Sequence, residues 1–199
     1  MLKELRPAIV LLLGLTVITG VIYPLGMTAV SGVIFPTQAQ GSLIERDGKI
    51  IGSALIGQDF TSDNYFHGRP SATTGPDLKD APKTVPQPYN AVNSMGANLG
   101  PTSKALIDRV TEDTGKLKAE NPSKPLPVDL VTTSGSGLDP DISPEGALFQ
   151  VPRVAAARKL PEERVRQLVS EHTQGRLAGL LGEPRVNVLA LNMALDAAK

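Results

Sequence analysis

The chain has 199 residues, and its 20 Lys and Arg residues balance its 20 Asp and Glu residues, so the formal net charge is zero. A neutral chain lacks the excess of cations that nucleic-acid binding requires, which argues against a DNA- or RNA-binding protein. The sequence has no Cys and only two His residues. Disulfides, iron–sulfur clusters, cysteine nucleophiles and three-histidine metal sites are therefore excluded.

An uncharged apolar run lies near the N-terminus. Residues 8–30 carry no charge and, at about 1.5 Å per residue, reach about 35 Å, enough to cross a hydrocarbon core of about 30 Å. We predict a retained transmembrane helix within a first segment of residues 1–35. Two alternatives remain open: a signal peptide cleaved at the small residues Ala29-Val30-Ser31, and a fully buried helix of a soluble protein.

The flanking charges predict the orientation of this helix. Lys3, Arg6 and the chain's amino group precede it, whereas the nearest cations after it are Arg46 and Lys49. Because positive residues favour the cytoplasmic side, we expect a cytoplasmic N-terminus, with the chain beyond about residue 35 outside the cell membrane.

Glycines recur within the predicted span. Gly14 and Gly20 make the helix slim enough to pack against partner helices, or they are simply tolerated in a lone anchor.

Residues 36–199 are enough for one soluble domain. Asp47-Gly48 between two β-prone runs predicts a hairpin, because a type I′ turn requires positive φ at both central residues. Residues 57–101 are rich in Pro yet hold four aromatic side chains, which predicts an ordered, irregular loop. The remaining predicted elements are helices over 102–119, 144–159, 161–173 and from 191 onward, and strands over 128–133 and 185–189. Ser143 before Pro144 is the predicted start of the second of these helices.

This order of elements predicts an α+β fold. It comprises one N-terminal transmembrane helix and a single extracytoplasmic domain with a small sheet and several helices.

A glycine-serine turn is the first candidate for chemistry. Ser134, Gly135, Ser136 and Gly137, with Asp139 nearby, could offer backbone N–H groups to an anion or a nucleotide. The turn lacks the phosphate-loop pattern and its Lys, so a generic tight turn is the alternative.

Three other groups of residues have competing interpretations. Asp139 and Asp141 could bind a metal, or could cap the following helix. His67 and Ser71 are the only candidates for an envelope hydrolase, although no G-x-S-x-G elbow is present. A cluster of cations is typical of a solvated helix face; its members are Arg153, Arg158, Lys159, Arg164 and Arg166. No complete catalytic constellation and no metal site is predicted.

An ordered set of motifs covers nearly the whole chain. Its segments are Arg6–Ala8, Gly52–Gln58, Tyr65–Ala72, Tyr89–Ala91, Asn98–Pro101, Asp129–Thr132, Ser134–Pro140, Gln150–Ala155 and Gly182–Leu189. Together these motifs resemble the KdpC family, the C subunits of the Kdp potassium-transporting ATPase. Two departures stand out: Asp141 occupies a position where the family commonly has His, and Ala97 one where it commonly has Ser. Roles that need an imidazole or a hydroxyl there are not expected.

The resemblance implies a non-catalytic accessory subunit in a bacterial inner membrane. Its expected partners are a potassium-translocating channel-like subunit, a P-type ATPase subunit and a small single-span subunit. The family is needed for assembly and has been proposed as a catalytic chaperone that raises the affinity of the ATPase subunit for ATP, which makes ATP a shared ligand. The alternative is a membrane-anchored envelope enzyme or binding protein unrelated to transport. Candidate interface residues are Tyr65, Phe66, His67, Arg69, Asn98, Gly14 and Gly20.

Overall fold

The computed structural model describes residues 2–80 and 82–198, so the predicted contribution of the chain's amino group lies outside the described residues. It divides into two compact units, one ending at Ile51 and the other beginning at Gly52. The first unit contains the long apolar helix, which ends at Ile34, next to the segment boundary that we predict at residue 35.

The long helix is continuous but changes its pitch. It consists of α1 (Leu2–Val17), a π-helical turn (Ile18–Ile22) and α2 (Tyr23–Ile34). The wide turn precedes Pro24, whose ring lacks an N–H and crowds the carbonyl four residues back, and Tyr23 N–H donates to Ile18 O across it.

The helix has the length and composition of a membrane span. Over Lys3–Ile34, 32 residues rise about 48 Å, more than a hydrocarbon core of about 30 Å requires. Thr19 and Thr28 donate their hydroxyl protons to the carbonyls of Leu15 and Pro24, at 2.7 and 2.8 Å, so these polar groups are satisfied within the helix. Among the described residues, it is the one helix that meets both criteria.

A short helix and a hairpin follow the span. They comprise α3 (Pro36–Ala39), β1 (Leu43–Arg46) and β2 (Lys49–Ser53). Asp47 and Gly48 have φ values of 52° and 73°, which confirms the predicted turn with positive φ at both central residues.

The first half of the second unit is mostly irregular, as predicted. A small hairpin of β3 (Thr74–Pro76) and β4 (Thr84–Pro86) interrupts it, paired from Thr74↔Pro86 to Pro76↔Thr84. Helix α4 (Lys104–Glu120) then matches the predicted helix over 102–119.

The second half forms the core. Strands β5 (Asp141–Ile142), β6 (Thr173–Gln174) and β7 (Arg185–Asn187) make an antiparallel sheet in the order β5-β7-β6. Helices α5 (Pro144–Arg158), α6 (Glu162–Glu171) and α7 (Val188–Ala197) supply most of the buried side chains. The fold is therefore α+β with a small sheet, as predicted.

Two predicted elements differ in the structure. The strand expected over 128–133 is wrong: Val128–Leu130 is a turn of 3₁₀ helix, because Asp129 accepts hydrogen bonds from the backbone N–H and hydroxyl of Ser143 instead of lying in a ladder. The C-terminal helix begins at Val188, earlier than expected, since the Asn187 side chain caps it by accepting from Ala190 N–H.

Candidate functional site

The most motif-rich segment, residues 65–73, is fixed inside the second unit by two buried amide side chains. Asn192 on α7 accepts from Phe66 N–H at 2.8 Å and donates to Phe66 O at 3.0 Å. Gln150 on α5 does the same for His67, at 2.8 and 3.1 Å. Each amide thus satisfies both backbone groups of one residue, as a neighbouring strand would. The segment is held rigidly although it has no secondary structure.

Arg69 joins this segment to the turn that follows the 3₁₀ helix. Its guanidinium forms an ion pair with Asp139 at 2.9 Å and donates to the carbonyls of Thr132 and Thr133, at 3.4 and 3.3 Å. Both charged side chains are about three-quarters covered. All of these partners lie within the domain, so Arg69 connects two of its loops.

Tyr89 closes the same region from the other side. Its hydroxyl donates to Arg69 O at 2.6 Å, and burial, followed by the charge of Asp139, raises the pKa of the phenol. A Cβ atom at Gly57 would overlap the Tyr89 ring, and one at Gly68 would overlap the Tyr89 hydroxyl oxygen. Both positions therefore require glycine.

Two N–H groups at the glycine-serine turn are bonded to its own serine side chains. Ser134 Oγ accepts from Gly137 N–H at 2.9 Å, and Ser136 Oγ accepts from Leu138 N–H at 3.1 Å. Carbonyl oxygens of the turn accept from Ser71 Oγ and Met95 N–H. The N–H groups of Gly137 and Leu138 are thus bonded within the domain, and the turn has no Lys. Binding of an anion or a nucleotide by Ser134–Gly137 and Asp139 stays a prediction.

An open cleft of about 800 Å³ lies beside residues 67–71. Phe60, Leu117 and Leu130 supply its apolar lining, while Arg69 and Lys116 supply cations. Lys116 is paired with Glu112 on the same helix at 2.7 Å, as Arg69 is with Asp139. The cleft has room for a side chain or a small ligand, yet the charges of these two cations are already balanced.

The helix-face interpretation of the basic cluster is wrong for two of its members. Arg153 donates to the carbonyls of Asp63 and Tyr65 and pairs with Glu120 at 2.9 Å, with its side chain mostly covered. Arg158 lies 4.8 Å from the centre of the Tyr65 ring and forms an ion pair with the C-terminal helix. The backbone carbonyls of the 60–66 loop need hydrogen-bond donors, and these two arginines supply them. Lys159 and Arg164 are exposed, as predicted.

The structure does not bring His67 and Ser71 together as a catalytic pair. The His67 ring bonds to Ser62 O at 3.0 Å, whereas Ser71 Oγ donates to Gly137 O at 2.7 Å and accepts from Tyr89 N–H. A hydrolase would need the imidazole within hydrogen-bonding reach of the hydroxyl. Within residues 2–80 and 82–198, no group of three or more His, Asp or Glu is placed to hold a metal ion.

The predicted capping role of Asp139 and Asp141 is wrong. Ser143 caps α5 by accepting from Gly146 N–H at 2.9 Å. Asp141 instead lies in β5, where it pairs with Arg185 at 3.1 Å and accepts from Asn187. Burial, partly opposed by Arg185, raises the pKa of Asp141. A carboxylate here serves the strand pairing of β5 and β7.

The predicted interface residues fall into three places. Tyr65, Phe66, His67 and Arg69 lie in the loop described above, with Phe66 fully buried. Asn98 is exposed, with φ of 51°, and Gly14 and Gly20 are exposed on the long helix of the other unit. Contacts of these residues with a partner stay a prediction.

Sequence reasoning did not single out Gln150 and Asn192. Each is a polar residue within an apolar helical stripe, and this pattern indicates a buried hydrogen-bonding role.

His67 gives the domain a predicted sensitivity to acid. Burial, followed by the charge of Arg153, lowers the pKa of His67 from its ordinary value of 6.5. As the pH falls, the unfolded chain therefore binds this proton before the folded chain does. The free energy of unfolding decreases from about pH 6.5 down to the lowered pKa of His67. We expect His67→Gln, which keeps a donor for Ser62 O, to reduce the drop in melting temperature between about pH 7.5 and pH 5.5. An unchanged drop, compared with His172→Gln as control, would contradict this assignment.

Comparison with known proteins gives one consistent result. The family described as "K+-transporting ATPase, c chain" (KdpC) matches residues 5–197. The "Potassium-transporting ATPase KdpC subunit" of Rhodopseudomonas palustris (strain BisB18) is 77% identical over 199 residues, covering 100% of both chains. Proteins of the same name from Bradyrhizobium diazoefficiens and Methylobacterium nodulans are 73% and 68% identical, covering 100% and 98% of this chain and 98% of each relative. The chain is therefore a member of the KdpC family.

Proposed function

We propose that this chain is the accessory, non-catalytic C subunit of an ATP-driven potassium importer, and that it acts by assembling and stabilising the complex. The proposal rests on the hydrogen bonds and the ion pair that the motif residues form. Arg69, His67, Ser71 and the 134–137 turn all bond within the domain. Such a site builds a rigid shape and leaves no reacting groups poised for a substrate. A rigid shape is what a docking subunit requires.

The proposed partners are the subunits that the family resemblance implies. These are a potassium-translocating channel-like subunit, a P-type ATPase subunit and a small single-span subunit. The long apolar helix would lie beside their membrane helices, where Gly14 and Gly20 allow close approach. We assign the potassium filter to the channel-like partner, because such filters are rings of backbone carbonyls or charged side chains, which the sequence of this chain does not indicate.

The proposed orientation puts the bulk of the chain outside the cytoplasm. Lys3 and Arg6 lie in the first turns of the long helix, before its uncharged part, which favours a cytoplasmic N-terminus in a bacterial inner membrane. The second unit then lies in the periplasm, where it would stabilise the channel-like subunit or shape the potassium entrance.

An effect on the ATP affinity of the ATPase subunit would be indirect in this arrangement. ATP is cytoplasmic, whereas the proposed orientation puts the 134–137 turn on the other side of the membrane. A chaperone role would therefore be transmitted through the membrane helices as a coupling free energy between sites.

Purification of the full chain in mild detergent tests the proposal. We expect a P-type ATPase and a channel-like potassium subunit to be retained and identified by mass spectrometry, with this chain uncleaved at its N-terminus. Recovery of this chain alone, trimmed near Ser31, would contradict both the anchor and the subunit role.

The orientation has a separate test, because the natural chain contains no Cys. We expect a single Cys at exposed Ser170 to react with a membrane-impermeant maleimide added outside intact spheroplasts. A Cys at Lys3 should react only after the membrane is opened. The opposite pattern of labelling would place the domain in the cytoplasm.

A further inference from the structure

The π-helical turn in the long helix leaves one backbone carbonyl without its usual hydrogen-bond donor. In an α-helix, the carbonyl of Thr19 would accept from the N–H of Tyr23. Here Tyr23 N–H donates to Ile18 O instead. The next donor that a wide turn offers is residue 24, which is Pro24 and has no N–H. Thr19 O therefore receives neither of the hydrogen bonds that its own helix normally provides.

This carbonyl, which we call the Thr19 carbonyl, lies at the centre of the apolar run. Residue 19 is the middle residue of the uncharged stretch 8–30. At that depth a bilayer holds almost no water and its acyl chains donate no hydrogen bond, so an unpaired carbonyl is costly. The hydroxyl of the same residue does not repair the loss, because it donates to Leu15 O at 2.7 Å. The carbonyl therefore requires a donor from outside this chain.

The surroundings of the Thr19 carbonyl indicate which donor fits. Gly20, the next residue, has no side chain, and nothing lies within 4 Å of the position that its Cβ atom would occupy. Small residues let two membrane helices approach closely, and Ser and Thr hydroxyls form hydrogen bonds across such contacts. A Lys or Arg donor fits less well, because a charge at this depth needs a counter-charge and residues 8–30 contain none.

We propose that the Thr19 carbonyl accepts a hydrogen bond from a Ser or Thr hydroxyl on a membrane helix of the channel-like subunit. This inference rests on the proposed function, which places the second unit against that subunit, and residues 35–51 join the long helix to the second unit. The hydrogen bond fixes the depth and the rotation of the long helix against its partner. A second copy of this chain does not supply the donor, because its hydroxyl at the same depth is already bonded to Leu15 O.

Replacing Pro24 with Ala tests the proposal, because it returns an N–H to the helix. The α-helical hydrogen bonds can then continue through residue 19, and the carbonyl no longer needs an outside donor. We expect the Pro24→Ala chain to be at least as helical as the natural chain by circular dichroism. Its yield of co-purified channel-like subunit should nevertheless fall by about three- to tenfold, the loss expected for one hydrogen bond between membrane helices.

Pro7→Ala is the matched control for this substitution. Pro7 also lies inside the long helix, but near its N-terminal end, where water can donate to the carbonyl that the ring leaves unpaired. This variant should co-purify like the natural chain. A natural yield for Pro24→Ala would overturn the inference and leave the proposed function intact. If the natural chain itself retained no partner, the proposed function would fail.

A photo-crosslinker identifies the donor directly. Benzoylphenylalanine would replace Tyr23, an aromatic residue one helical turn from residue 19. On irradiation of the complete complex, we expect it to join a membrane helix of the channel-like subunit within one turn of a Ser or Thr. A crosslink only to lipid, to a second copy of this chain, to a different subunit or to a helix without Ser or Thr would overturn the inference.

The residue found in this way completes the test. Its replacement by Ala should weaken co-purification as much as Pro24→Ala does, and the two changes together should cost no more than either alone, because both remove the same hydrogen bond. Fully additive losses would show that the two residues act independently and would overturn the inference.

Discussion

Replacing Gln150 with Leu is expected to lower the free energy of unfolding by about 3 kcal/mol, because several polar groups lose their partner at once. Gln150 is 2% exposed, and its amide bonds to both backbone groups of His67. Its oxygen also accepts from Arg153 at 2.7 Å. A leucine of similar size fills the space but satisfies none of these groups. Thermal and urea unfolding of the full chain in detergent measure the change.

Gln167→Leu is the matched control for this prediction. Gln167 is also a helical glutamine, but it is exposed, and its amide contacts only exposed side chains of Arg164 and Glu171. Its replacement should change stability by less than about 0.5 kcal/mol. Equal effects of the two substitutions would mean that the Gln150 amide does not hold the 65–73 segment.

The second large effect is expected at Phe66. Its side chain is fully buried in the main core, and the backbone of the same residue bonds to Asn192. Phe66→Ala removes most of this volume and leaves a cavity, which typically costs about 3–5 kcal/mol. Calorimetry of the full chain should therefore show a much lower melting temperature.

Phe60→Ala serves as the comparison for Phe66→Ala, because Phe60 is only partly buried at the edge of the same core. It should cost clearly less, since its environment is already open to the cleft. A larger loss for Phe60 than for Phe66 would show that the loop is held chiefly by its outer contacts.

The local elements were predictable where a few neighbouring residues determine the conformation. Asp47-Gly48 requires a turn of positive φ, and Ser143 before Pro144 begins a helix, because both signals act within four residues. The apolar run before Ile34 was equally plain, since its length alone distinguishes it from most core helices.

The site was less predictable because its partners are distant in sequence. Asn192 lies 126 residues from Phe66, and Arg69 lies 70 residues from Asp139. Propensity and periodicity carry no information on such pairs. The error at 128–133 has the same origin: Val128, Val131 and Thr132 favour a strand, but Asp129 bonds to Ser143, 14 residues away. The motif resemblance identified the family, whereas the roles of its residues needed the structure.

Assembly of the transporter with and without this chain tests the central claim most directly. The other subunits would be expressed in membranes, with this chain present or deleted, and the intact complex quantified together with its ATP-driven potassium uptake. We expect deletion to abolish both the intact complex and uptake, and restoration of the chain to recover them. A complex that forms and transports potassium at the same level without the chain would contradict the role proposed for it.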